Sequence, residues 1–211
     1  MTKIDTHSLR KVIGREEFDH PILTSALSDY LAKDQKVNEL LRAGDIVRVK
    51  KGLYVFGNSA RQQPVCKETL ANLIYGPSCI SLEYALSHYG LIPERVETVT
   101  SITPKRNKEF ETPLGRFEYR YLAPSKYPYG IDQVWIDKTH PVLMATAEKA
   151  LCDFIVLSDI ADLKTIKNAQ EFLFDYLRAD KDALANLDIK QLIYLNRHYQ
   201  SQKIAKVIEA L

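Results

Sequence analysis

The side chains best suited to chemistry lie between positions 33 and 51. There six cations, Lys33, Lys36, Arg42, Arg48, Lys50 and Lys51, stand against three carboxylates. Together with the amides Gln35 and Asn38 they suit a nucleic-acid surface, because lysine and arginine neutralise phosphate while amides read base edges. Asp34 and Glu39 in the same stretch oppose phosphate unless they point aside or accept from cytosine. Residues 1–56 carry ten Lys/Arg against eight Asp/Glu, and residues 57–211 carry nineteen of each, so the whole net charge of +2 sits in the first quarter. That total is too small to draw the entire molecule to a polyanion, and any such affinity must be local.

Other chemistry finds little footing. His7, His20, His88, His140 and His198 include no pair at metal-ligand spacing on a helix, so no metal is expected and each reads as a surface or packing residue. The eight glycines are spread singly, without a phosphate-binding loop, and no Gly-x-Ser-x-Gly elbow is present. Past residue 57 the acidic-x-Lys triplets that could hold magnesium on a strand are Asp162-Leu163-Lys164, between expected helices, and Asp188-Ile189-Lys190, which opens a helix. Glu118-Tyr119-Arg120 lies on an expected strand but has arginine in the lysine position. The expectation is therefore no enzyme and no cofactor. Cys66, Cys79 and Cys152 are odd in number and lack Cys-x-x-Cys spacing, as expected of reduced packing residues.

The elements that would position the cations form a first unit over residues 1–56. Leu9, Val12 and Ile13 define one face of a first helix, and Ala26, Leu27, Tyr30 and Leu31 one face of a second, capped by Thr24 or Ser25. A third helix is predicted from about Asp34, its cap, to Ala43, with Val37, Leu40 and Leu41 inward and Gly44 as the left-handed stop. Its outward positions are then Lys33, Gln35, Lys36, Asn38 and Arg42. Residues 46–50 and 53–56 read as a hairpin turning at Lys51-Gly52, which sets Arg48, Lys50 and Lys51 within reach of phosphate. Compact helices followed by a basic hairpin make a winged helix-turn-helix, with the third helix in the major groove and the wing on the backbone.

The polar run 57–63, ending before Pro64, reads as a linker, and residues 64–211 as a second, mixed α/β unit. Helices are expected around Leu70–Ile74 and Ser81–Gly90. Strands are expected at 96–102, 109–112, 117–122, 134–136 and 142–144, followed by a helical end with a Thr146-capped segment and stretches at 169–177, 189–199 and 202–211. The overall class is α+β. Lys105, Arg106 and Lys108 suit either a solvated turn or an acidic or RNA partner; Tyr119, Tyr121, Tyr127 and Tyr129 suit either packing or a partner surface. No apolar run approaches the length of a membrane span and the start lacks a secretory core, so the expected compartment is the cytoplasm, with no membrane partner.

Three segments in series resemble the AbiEi family of antitoxins from bacterial type IV toxin–antitoxin pairs. They are Lys36 to Val55, Ser81 to Leu86 with Tyr89-Gly90-Leu91-Ile92-Pro93, and Ala145 to Asp153. The resemblance implies an N-terminal winged helix-turn-helix that represses its own operon by binding double-stranded operator DNA. It also implies a C-terminal domain that counteracts a co-encoded nucleotidyltransferase-like toxin, and no catalytic activity in the antitoxin itself. The DNA-facing set carried over is the one named above: Lys33, Gln35, Lys36, Asn38, Arg42, Arg48, Lys50 and Lys51. Ser81, Glu83, Glu148, Lys149 and Asp153 read equally as helix caps. The alternative is a stand-alone winged-helix regulator whose second unit senses a ligand or partner.

Overall fold

Helix α1 (Thr6–Ile13) turns Leu9 and Ile13 inward and leaves Val12 on the surface, so the apolar face is narrower than the sequence suggested. The computed structural model describes residues 6–159 and 163–211. A short strand, β1 (Glu17–Asp19), follows, and Asp19 then caps α2 (His20–Ala26) by accepting from the backbone NH of Ile22. Proline at the first turn, Pro21, needs no NH there and favours the start. The second helix thus begins and ends earlier than the apolar residues 26–31 predicted: Thr24 lies inside it, its hydroxyl donating to the carbonyl of His20, and Leu31 is almost wholly exposed.

Helix α3 (Lys33–Ala43) starts at Ala32 without a side-chain cap, and Asp34 sits in its first turn rather than before it. It stops at Gly44, whose φ of 75° is the left-handed conformation that the sequence required there. Strands β2 (Ile46–Lys50) and β3 (Leu53–Phe56) pair antiparallel, and β1 adds to β3, giving a three-stranded sheet in the order β1-β3-β2. The two faces of this hairpin serve different cores. Ile46, Tyr54 and Phe56 pack with Leu9, Phe18, Leu23, Val37 and Leu40, whereas Val49, Leu53 and Val55 join the larger core formed by later residues.

That larger core surrounds a six-stranded mixed sheet in the order β6-β7-β5-β4-β9-β8. The strands are β4 (Cys79–Ile80), β5 (Val99–Thr103), β6 (Lys108–Thr112), β7 (Gly115–Tyr121), β8 (Ile131–Trp135) and β9 (Pro141–Ala145). Helix α4 (Lys67–Ile74) covers one face, where the Tyr119 hydroxyl donates to the carbonyl of Ala71 at 2.6 Å. Helices α5 (Leu82–His88) and α6 (Ala147–Leu157) cover the other, where Arg120 donates to the carbonyl of Leu157 at 3.0 Å. Beyond α6 lie α7 (Ile166–Glu171), a π-helical turn over Phe172–Tyr176, α8 (Lys181–Ala185), α9 (Ile189–Tyr199) and α10 (Gln202–Ala210). The mixed α+β class agrees with the reading of the sequence. All three cysteines are buried and free, as expected. Asp188 caps α9 by accepting from the NH of Lys190, so that triplet is a helix start; Asp162 lies outside the described residues. Among the described residues no helix is long and apolar enough to cross a membrane.

The seam between the two cores is polar as well as apolar. Glu16, almost fully buried, receives both guanidinium nitrogens of Arg10 at 2.6 and 2.7 Å and the backbone NH groups of Gln62 and Gln63. Glu17 accepts from the NH of Cys66 at 3.0 Å. The stretch 57–63 is therefore tied down by backbone hydrogen bonds at its far end. At its near end Gly57 donates to Asp45, and a Cβ on Gly57 would collide with the carbonyl oxygen of Gly44, so only glycine fits.

Burial alone would raise the Glu16 carboxyl, but the hydrogen bonds from Arg10, Gln63 and Gln62 hold it below its ordinary 4.5. A depressed carboxylate stabilises the fold above its unfolded value and loses that contribution as pH falls through the folded one. Glu16→Gln is accordingly expected to cost about 2 kcal/mol at pH 7. In urea titrations the gap from the parent should narrow below about pH 4; a gap of constant size would show that the charge on Glu16 does not matter.

Candidate functional site

On α3 the exposed side chains Gln35, Asn38, Glu39 and Arg42 recur at i, i+3, i+4 and i+7 and make one continuous stripe. Val37 and Leu40 face the core opposite, so the helix is held by its inner side and offers an amide-rich outer one. Lys33 stands half-buried at the start of the helix. On the hairpin, Arg48 is exposed with its guanidinium 5.8 Å from the centre of the Tyr54 ring, and Lys51 is exposed at the turn beside Gly52. Among the described residues Lys33, Arg42, Arg48 and Lys51 form no ion pair. A cation without a carboxylate partner keeps its attraction for phosphate.

Two of the eight expected contacts are placed elsewhere. Lys36 is buried, only 9% exposed, with its ammonium 3.3 Å from the Glu39 carboxylate and 5.4 Å from the centre of the Tyr30 ring. It lies one turn before Leu40 and packs its stem on the inner side, as long basic side chains do at the edge of a core. Its effect on the outer stripe is indirect: it holds and partly neutralises Glu39, the one carboxylate there. Lys50 is turned away as well. Strict alternation would set it on the face of Arg48, but the ladder shifts register between the two, and Lys50 instead donates to the carbonyl of Ile74 at the end of α4. Burial, helped by the nearby charge of Lys105, pushes the Lys50 ammonium below its usual range. Lys105 itself reaches the chain just past the same helix end, donating to the carbonyl of Gly76 at 2.5 Å.

In the second unit the structure joins residues that the sequence left as possible caps. The Ser81 hydroxyl does not cap α5 but donates to Asp153 at 2.7 Å. Asp153 also accepts from Tyr199 and lies 3.4 Å from the ammonium of Lys149, which donates to the Tyr199 hydroxyl at 2.8 Å. Lys149 and Asp153 are completely buried. Burial raises the Asp153 carboxyl despite the lysine and the three hydrogen bonds that oppose the rise. This cluster ties α5, α6 and α9 together. Glu148 likewise accepts from the NH of Asp188 at 3.0 Å. The sequence signal was α6 itself, apolar on nearly every side, so that a charged pair at i and i+4 had to be buried with it.

The 105–108 turn is exposed, and besides the bond that Lys105 makes, Asn107 accepts from the NH of Tyr121 at 2.6 Å. Tyr119 is a core residue, Tyr121 is exposed, and Tyr127 and Tyr129 are half-buried. Among the described residues no group of histidine, cysteine and carboxylate side chains is arranged to hold a metal ion.

No protein-family model matches the chain, and no curated protein matches it by sequence. The fold is similar to that in the crystal structure of the RV2827C protein from Mycobacterium tuberculosis, with a TM-score of 0.59 at 15% identity, over 99% of this chain and 78% of that one. At that identity the likeness speaks for the α+β fold alone.

The geometry separates two kinds of lysine. Lys36→Ala is expected to lower stability by about 1 kcal/mol, or about 2–4 °C in melting temperature, through lost packing and the lost Tyr30 contact. Lys51→Ala, at an exposed turn, is expected to leave the melting temperature unchanged. Thermal unfolding of both variants checks the distinction, and equal shifts would contradict it.

Proposed function

We propose that this protein is an antitoxin and autorepressor of the type IV class. Residues 1–56 would form a winged helix-turn-helix that binds operator DNA, and residues 64–211 the domain that counteracts a co-encoded nucleotidyltransferase-like toxin. One observation carries the DNA-binding part. The element order α1-β1-α2-α3-β2-β3, with sheet order β1-β3-β2, places an exposed Gln35, Asn38 and Arg42 stripe and an Arg48 and Lys51 hairpin on the same small unit. In this reading α3 enters the major groove, where the two amides and Arg42 meet base edges, while Lys33, Arg48 and Lys51 meet phosphates. Lys36 serves by restraining Glu39, and Lys50 by fixing the hairpin on the second unit.

The antitoxin part rests on the three matching segments in series, two of which, at Ser81 and at Lys149 to Asp153, meet in the buried cluster. A second reading, a stand-alone winged-helix regulator, is favoured by the seam. A cavity of about 620 Å3 opens there, lined by Arg10, Arg15 and Glu17 from the first unit and His140 from the second. A small polar ligand in that position would act on both units at once.

The test is a gel-shift titration on the DNA upstream of the gene, at several salt concentrations. Arg48→Ala combined with Lys51→Ala should weaken binding at least tenfold and reduce the salt slope by about 2, since each phosphate contact contributes about 0.9. The melting temperature should not fall. Binding that is absent in the parent, or unchanged in the variant, would overturn the assignment.

A further inference from the structure

The seam cavity of about 620 Å3 is walled by groups from both units, and their hydrogen bonding is incomplete. Arg10 and Glu16 satisfy one another, and Glu16 takes two backbone NH groups besides. Glu17 and His140 do not. The Glu17 side chain is only 4% exposed; its Oε1 accepts from the NH of Cys66, while Oε2 stands 3.7 Å from His140 Nε2, too far for a hydrogen bond. On the other side of the imidazole, Nδ1 lies 2.7 Å from the Asp137 carboxylate, which can only accept, so the ring proton sits on Nδ1. A neutral His140 therefore sets a lone pair against the second oxygen of Glu17. Two largely buried acceptors, one from each unit, lack a donor between them.

A group that joins them must bring two N–H or O–H bonds to neighbouring acceptors. A metal ion does not suit the place, because the described residues offer no set of three ligands. A primary ammonium does, with three donors and a charge that answers Glu17. The rest of the lining limits what the ammonium can be attached to. Arg15, exposed and without an ion-pair partner among the described residues, borders the same cavity, so a second cation would be repelled there and a carboxylate held. Leu73 and Pro141, both exposed, supply apolar lining.

We propose that the seam cavity binds a free amino acid as its zwitterion, the ammonium bridging Glu17 Oε2 and His140 Nε2, the carboxylate on Arg15 and the side chain against Leu73 and Pro141. A cavity of this size is ample for such a molecule. Glu17 belongs to β1 and His140 to the turn between β8 and β9, so the ligand joins the two units beside the Glu16 joint. The proposal rests on the regulator reading for its purpose, not for its chemistry, and names the class of ligand sensed.

The experiment measures thermal unfolding of the full chain, near neutral pH, with each of the twenty standard amino acids at about 10 mM, followed by a titration of the best of them. At least one should raise the melting temperature by about 3 °C or more. The amine lacking its carboxylate and the acid lacking its amine should raise it far less. Glu17→Gln keeps an oxygen for the Cys66 NH and puts an NH2 between the two acceptors, so it should fold as stably as the parent and abolish the response. Arg15→Ala, at an exposed position, should weaken binding at least tenfold. No response to any amino acid, an equal response to the one-ended compounds, or a response that either variant retains in full would overturn the inference and leave water or a proton between Glu17 and His140. Binding that leaves the affinity for the upstream DNA unchanged would support this site and overturn the regulator reading alone.

Discussion

The β2–β3 hairpin buries side chains from both of its faces, and the rest of the molecule is arranged around that constraint. Its residues alternate between two cores, Ile46, Tyr54 and Phe56 on one side and Val49, Leu53 and Val55 on the other. Burying one such side chain is worth about 1.5–3 kcal/mol, so six of them make the hairpin a strong common wall. A hairpin fixed in this way cannot swing independently of the second unit. Backbone hydrogen bonds to Glu16 and Glu17, and the grip of Lys50 on the end of α4, reinforce the same relation. The stretch that composition marks as a linker is consequently part of a joint.

This double burial explains both the legible and the illegible parts of the sequence. The third helix, its glycine stop and the hairpin turn could be read, because periodicity and positive-φ glycines are local signals. The second helix starts earlier than its apolar cluster suggests, because Asp19 caps it and His20-Pro21 opens it upstream. Strands β1 and β4, of three and two residues, are too short for alternation to show. Among the candidate contacts, Gln35, Asn38, Arg42, Arg48 and Lys51 stand where the pattern put them, and Lys33 is half-buried. Lys36 could have been placed correctly from its spacing, one turn before Leu40. Lys50 could not, because its direction depends on a bulge that only pairing with Leu53 reveals.

Charge has two separate uses in this chain. On the first unit Lys33 and Arg42, which form no ion pair among the described residues, flank amides on one helix, an arrangement suited to a regular polyanion. The interior pair of Lys149 and Asp153 serves packing instead; fully hydrogen-bonded, it sets how α5, α6 and α9 meet. A net charge of +2 conceals both.

Hydrogen–deuterium exchange of the full chain, with and without the duplex from upstream of its gene, tests the central claim most directly. Exchange should slow in residues 33–43 and around the 48–52 turn when the duplex is present, because docking there would cover those amides. Unchanged exchange there, with protection confined to the second unit, would contradict the account.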